Sequence, residues 1–283
     1  MASETKQDIL DWYERQPRAV TDDFIASVSW DDVRRHPFDA RFIPVLTYMR
    51  DVEALTDMYY MEMRRTPTGR DPVISKFMER WGHEELAHAE VLNRFLGELG
   101  VRLDSEWKTK LRRSVSNKYR LKTYLIDSLA NLIGPKFTAT HMTFGAIHEM
   151  TTAQGYRRVM NLAQHPVLTS ILKAIIREES AHTQFYWRVA RLELEQNATS
   201  RVIARRVIQH FWYPVGQGSK PKRQTENLVV TLFGQHDGVE LFDKTITQRV
   251  QRLPGLAGVE RPTEKIASIC RHYQPEVFAN EIV

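Results

Sequence analysis

The sequence predicts an all-α protein: a four-helix bundle with additional helices at both ends. Apolar residues recur at helical spacing over stretches of roughly 25–30 residues, and almost nothing alternates with the period of two that a strand needs. The 13 glycines and 12 prolines fall mostly between those stretches. A short amphipathic helix is expected near residues 4–16, stopped by Pro17, and a second from about Thr21 to Val33. The third runs roughly 42–65, with Pro44 tolerated in its first turn because no helical hydrogen bond is lost there. Pro67 to Pro72 reads as a turn, after which Asp71 caps the next helix and Pro72 fills its first position. That helix continues to about Leu99 and ends at Gly100, a residue suited to the left-handed conformation that closes helices. Segment 104–133 reads as helical but interrupted, ending near Gly134-Pro135. Long helices follow over about 136–164 and 167–197, separated by His165-Pro166. Beyond Thr199 come a basic helix to about Trp212, a polar loop around 214–224 and shorter helices. The expected organisation is one domain over 1–283, with a bundle core at about 40–197 and a helical extension over 198–283. That extension serves as a cap on the bundle or as a dimerisation arm.

A chain of 283 residues, 42% hydrophobic and 27% charged, can bury a sizeable core. No apolar run approaches the ~18 residues of a membrane span. The start, MASETKQDIL, lacks the basic-then-apolar pattern of a signal peptide. Cys270 is the sole cysteine, which excludes an internal disulfide and any cysteine-cluster metal site and points to the cytoplasm. A net charge of +5 is compatible with an acidic partner but too small to argue for nucleic acid.

Two short motifs carry chemistry. HEELAH gives Glu85-x-x-His88, and EESAH gives Glu179-x-x-His182. Residues three apart share a helical face, so each pair can bind one metal ion. The helix before each motif carries a Glu among apolar neighbours, Glu53 in one half and Glu149 in the other. The spacing repeats: Glu53 lies 32 residues before Glu85, and Glu149 lies 30 before Glu179. Two helical hairpins facing each other would thus supply four carboxylates and two imidazoles. This is the ligand set of ferritin-like di-iron and di-manganese carboxylate bundles. Oxygen and imidazole donors suit iron or manganese, and the lack of thiolates excludes an iron–sulfur cluster. One Glu-x-x-His alone would read as a solvated helix face; two copies with matched upstream glutamates do not.

Asp51, Asp57 and Glu62 share a helical stretch with Glu53, but Val52, Ala54 and Leu55 give Glu53 the apolar setting. Asp57, one turn on, is a candidate for a group just outside the ligands. His83, His141 and His148 are weaker candidates for extra ligands and read more simply as packing or surface residues. A ligand imidazole donates its other nitrogen to a carboxylate or carbonyl. Glu84 and Glu178 each precede a ligand glutamate, so the expectation is that Glu84 holds His182 and Glu178 holds His88. Thr152 and Gly145 share the face of Glu149, where small groups either leave room beside the metals or let helices pack closely. Tyr48, Tyr60, Met142, Phe144 and Tyr156 are candidates for pocket walls or plain core.

Over about 40–195 the sequence resembles the soluble acyl-acyl-carrier-protein desaturases. VEALTDMY surrounds Glu53, ERWGHEELAHAEVLNRFL surrounds Glu85 and His88 with Trp81 one turn earlier, and Thr152 follows Glu149 by three residues. The resemblance implies a ferritin-like bundle holding two irons or a manganese–iron pair, with dioxygen as co-substrate. It implies Glu53 and Glu149 as terminal carboxylates, Glu85 and Glu179 as bridges, and Thr152 beside the dioxygen-binding face. It further implies desaturation of an acyl chain on acyl carrier protein, a ferredoxin-type electron donor and a homodimer. Hydroxylation or N-oxygenation of a small molecule would use the same ligands, whereas iron storage fits this length poorly. Trp30 is the candidate for the family's surface tryptophan for electron entry, and residues after about 200 match no recognised pattern.

Overall fold

The computed structural model describes residues 4–235 and 237–273, so residues 274–283 of the expected C-terminal extension lie outside the described residues. Among the described residues there is no strand, only an isolated bridge between Gln217 and Lys220. The helices in chain order are α1 (Lys6–Glu14), α2 (Asp22–Ser27), α3 (Phe42–Glu53), α4 (Thr56–Arg64), α5 (Pro72–Glu98), α6 (Trp107–Ser114) and α7 (Asn117–Ile133). Then follow α8 (Thr138–Ala163), α9 (Pro166–Gln196), α10 (Ala198–Phe211), α11 (Lys222–Phe233) and α12 (Gly238–Phe242). A π-helical turn, Asp243–Thr247, joins α12 to α13 (Gln248–Val250), and α14 (Arg261–His272) ends the described chain.

The bundle consists of α3–α4, α5, α8 and α9, with α3 packed on α5 and α8 packed on α9 along their lengths. Capping chemistry sets the ends of α5 where the sequence places them. The Asp71 carboxylate accepts from the N–H groups of Val73 and Ile74, and Gly100 takes φ +93°. Gly134 closes α7 at φ +75°, while Gln164, not a glycine, takes the left-handed position after α8 at φ +48°.

Two expected helices are broken. The segment read as Thr21–Val33 is α2 followed, after the extended Val28, by a 3-10 turn over Trp30–Arg35. The helix read as 42–65 stops at Glu53 and resumes at Thr56. The Leu55 N–H reaches only back to the Val52 carbonyl, at 3.1 Å, so the turn tightens immediately after Glu53. Neither Gly nor Pro stands there, so the usual sequence marks of a helix break are missing.

The C-terminal helices share the main core: Val229, Phe233, Phe242, Ile246 and Ile266 belong to the same apolar cluster as Leu46, Phe77, Ile147 and Phe185. The loop from Tyr213 to Lys220 lies directly on α3. Gly216, at φ +79°, lets the backbone approach so closely that a Cβ there would come within 2.5 Å of the Tyr48 hydroxyl. Tyr48 donates to the Val215 carbonyl at 2.7 Å. Buried Asp51 accepts from Lys220 at 2.5 Å and from Arg50 at 2.6 Å, pinning the same loop. No helix among the described residues is long and apolar enough to cross a membrane.

Candidate metal centre

Four helices deliver one buried group of side chains to the middle of the bundle. Glu53 is the last residue of α3, Glu85 and His88 lie one turn apart on α5, Glu149 projects from α8, and Glu179 and His182 lie one turn apart on α9. Ligand-capable atoms of Glu53, Glu85, His88 and Glu179 lie within 4.8 Å of one another, as do those of Glu85, Glu149, Glu179 and His182. Glu85 and Glu179 belong to both groups. His182 Nδ1 lies 3.0 Å from Glu85 and 3.6 Å from Glu149; His88 Nδ1 lies 3.3 Å from Glu179 and 4.0 Å from Glu53.

The outer side of each imidazole fixes its inner side. His88 Nε2 meets the Glu178 carboxylate at 2.8 Å, and His182 Nε2 meets Glu84 at 2.8 Å, the crossed pairing expected from the register. Glu178 already accepts from the backbone N–H groups of Ala19 and Val20 at 2.6 and 3.1 Å. Glu84 accepts from Tyr13 at 2.6 Å and from Arg80 at 2.8 Å. Both acids are therefore acceptors, so the imidazoles donate through Nε2. A neutral imidazole then turns the Nδ1 lone pair toward the cluster. Burial works against ionised Glu84, but the hydrogen bond from His182, with those from Tyr13 and Arg80, holds it down at about 2.

Whether metal ions fit here is decided by what these atoms otherwise lack. Glu85 Oε1, both carboxylate oxygens of Glu179, and Nδ1 of His88 and His182 are buried with no hydrogen-bond partner. A buried polar atom without a partner is costly, and a buried uncompensated charge far more so. Burial, and then the charges of neighbouring carboxylates, push Glu53, Glu85 and Glu179 upward. Two divalent cations would supply the missing partners and the counter-charge together. The remaining oxygens are held from outside: Tyr156 donates to Glu53 at 2.5 Å, and the Trp81 indole N–H donates to Glu149 at 3.2 Å.

A cavity of about 270 Å³ opens beside Glu53, Glu85 and Glu149. Val52, Met78, Trp81, Phe144 and Tyr186 are among its walls, and Thr152 lines it on the α8 side. Tyr59, Glu62, Tyr119, His141, His148 and Tyr213 are polar members of its lining, and no Lys or Arg lines it. A second, apolar cavity of about 40 Å³ shares Val52, Glu53, Thr152 and Val215 as walls. Gly145 serves close packing as well as space, since a Cβ there would come within 2.3 Å of the Tyr186 ring. Phe144 is a cavity wall, Tyr48 lines the smaller cavity, and Met142 is plain core.

Several candidates are placed elsewhere. Asp57 is no neighbour of the cluster; it pairs with Arg112 near the surface. His83 bonds to the Glu79 carbonyl, and His141 Nδ1 meets the Thr68 hydroxyl at 2.7 Å. Glu62 lines the larger cavity, where it accepts from Tyr119 at 3.2 Å and burial pushes it up to about 7. Trp30 is not a surface residue: it is buried, with the Arg94 guanidinium 4.2 Å over its ring.

The fold and this donor set define a ferritin-like carboxylate bundle suited to two metal ions. The sequence model of the family described as rubrerythrin matches residues 46–190, just over half of the chain, and the chain belongs to that family. No curated protein matches it. The family match supports the superfamily implied by the motif resemblance, without reaching the desaturase branch.

The crossed pairing is open to test. Glu178→Gln should weaken iron affinity by roughly 10–100-fold, as removal of such outer partners does. Competition with a chelator reads the change; an unaltered affinity would mean that His88 is oriented by something else.

Proposed function

We propose that this protein is an oxygen-dependent di-iron oxidoreductase acting on an organic substrate bound beside Thr152. The observation that carries this reading is the buried six-residue cluster with a cavity beside it, walled by three of its carboxylates, Glu53, Glu85 and Glu149. Glu53 and Glu149 would hold one metal each as terminal carboxylates, Glu85 and Glu179 would bridge, and His88 and His182 would complete one ion each. When bound, the irons supply reductive activation of dioxygen, with dioxygen as co-substrate and electrons from an external donor, for which a ferredoxin-type protein is the expected class.

The chain itself supplies orientation and exclusion of water. Glu84 and Glu178 keep the two imidazoles in the tautomer that offers Nδ1. Tyr156 and Trp81 fix the terminal carboxylates through the hydrogen bonds described above. Met78, Phe144 and Tyr186 keep the reacting end of the cavity apolar, and Thr152 places a hydroxyl-bearing side chain at its wall.

The cavity favours a compact substrate. Its volume lies at the small end of ligand sites, and its lining includes tyrosines, histidines and Glu62 rather than forming a continuous apolar tube. Hydroxylation or N-oxygenation of a small molecule therefore fits this cavity better than desaturation of a long acyl chain on a carrier protein. Mass spectrometry of reduced, iron-loaded enzyme separates the two: a gain of one oxygen atom marks oxygenation, and a loss of two hydrogens on an acyl carrier protein substrate marks desaturation. Thr152→Val is expected to keep its iron while oxygen consumption exceeds product. Unchanged coupling would remove Thr152 from the oxygen chemistry.

A further inference from the structure

We propose that the large cavity selects an organic ammonium ion, with Glu62 as its counter-charge and Tyr59, Tyr119 and Tyr213 as the aromatic walls around it. The inference rests on the reading of this cavity as the substrate site and adds the chemical class of the substrate. Five acids line the cavity, Glu53, Glu62, Glu85, Asp127 and Glu149, and no Lys or Arg does. Glu53, Glu85 and Glu149 belong to the metal cluster. Asp127 is paired with Arg65, whose Nε and Nη2 both lie 2.7 Å from one carboxylate oxygen. Glu62 is the acid left over. Among the described residues it makes no ion pair, and a neutral donor, the Tyr119 hydroxyl, bonds it instead. Three arginines share a neighbouring groove with Glu62, and each is engaged elsewhere. Arg65 holds Asp127, Arg112 pairs with Asp57, and Arg120 donates to the Arg112 carbonyl at 2.8 Å. Burial pushes Glu62 up to about 7, the response of a carboxylate enclosed without a counter-ion. A ligand that brings the opposite charge removes that cost.

The rings supply the second half of the recognition. Burial, joined by the charge of Glu62, holds the phenols of Tyr59, Tyr119 and Tyr213 above their ordinary range. Three neutral rings thus gather near one carboxylate, and the face of an aromatic ring attracts a cation. Tyr59 is fixed by Ser219 Oγ at 2.7 Å, and Tyr119 by Glu62 at 3.2 Å. Exposed Lys122 stands 4.9 Å from the centroid of the Tyr213 ring, yet is no part of the cavity lining. A carboxylate or phosphate substrate would meet acids and no cation here, and a neutral one would leave Glu62 without a counter-charge. Thr152 belongs to the same lining, so an ammonium held by Glu62 leaves the rest of the molecule the space beside the metal cluster.

The test reads binding to the full, iron-loaded chain, so it stands apart from turnover. Calorimetry compares benzylammonium and phenethylammonium with phenethyl alcohol and phenylacetate. The ammonium probes should bind at least about 10-fold more tightly than the other two, the weight of one charge-assisted hydrogen bond. Glu62→Gln should erase that preference with helicity and iron content unchanged, and Glu62→Asp should keep part of it. Tyr213→Leu should weaken the ammonium probes more than the alcohol. Ammonium binding no tighter than that of the alcohol in the wild type, or a preference that survives Glu62→Gln, would overturn the proposal. A Glu62→Gln variant that loses its iron or its helicity would make Glu62 a structural acid and overturn it too. Failure to form any oxygenated product would instead strike the function proposed above and leave a measured ammonium preference standing.

Discussion

Replacing His88 or His182 with alanine should reduce bound iron from about two per chain to one or fewer, because each imidazole has two jobs in the bundle. Its Nδ1 faces the carboxylates of one metal group, and its Nε2 neutralises a buried acid, Glu178 for His88 and Glu84 for His182. The substitution therefore deletes a donor and strands a carboxylate that stays buried. Glu178 keeps its two backbone N–H donors and Glu84 keeps Tyr13 and Arg80, so the fold should survive both changes. Elemental analysis of iron per chain, with circular dichroism as the folding control, checks this. Full iron occupancy in both folded variants would refute the assignment of the cluster as a metal site.

The two variants should also differ from each other. His182 lies near Glu85, Glu149 and Glu179, whereas His88 lies near Glu179 and, more distantly, Glu53. Loss of either imidazole should empty its own half first and leave the shared Glu85 and Glu179 to weaken the other. Iron retained in a one-to-one ratio with chain is the expected partial state.

Much of this centre is legible in the sequence because its logic is local. Glu-x-x-His needs only the helical period, and a repeated distance to an upstream Glu needs only two hairpins of equal length. The crossed partners Glu84 and Glu178 follow from adjacency to the ligand glutamates. What escapes is contributed by long-range packing. Tyr13, on a helix some seventy residues before Glu84, reaches it only because α1 lies across α5 and α9. The Ala19 and Val20 amides that clamp Glu178 belong to a segment with no motif at all. Asp57 fails for the opposite reason: the break after Glu53 defeats the helical register that would have kept it on a similar face.

Stability against pH should run in opposite directions with and without metal. In the metal-free protein burial, then neighbouring charge, raises Glu53, Glu85 and Glu179 above the usual 4.5. Burial opposes charging of His88 and His182, but their carboxylate partners outweigh it and raise both well above 6.5. Raised groups bind more protons in the folded state than in the unfolded one, so their stabilising effect is present at low pH and fades as pH rises through the folded values. The lowered pair, Glu84 and Glu178, has the opposite sign, but its contribution is lost only as pH falls below about 4.5. Buried His141 and His148, pushed down to about 4 by burial, add stability as pH rises toward 6.5, so it is across roughly pH 6.5 to 8 that the chelated protein should lose thermal stability as pH increases. Iron reverses the sign, because metal binding requires the carboxylates and imidazoles in their deprotonated forms and displaces the protons they hold. The gap in Tm between iron-loaded and chelated protein should widen steadily over that range. A gap that stays constant or narrows would mean that the protons of the cluster and the metal ions do not compete for the same atoms.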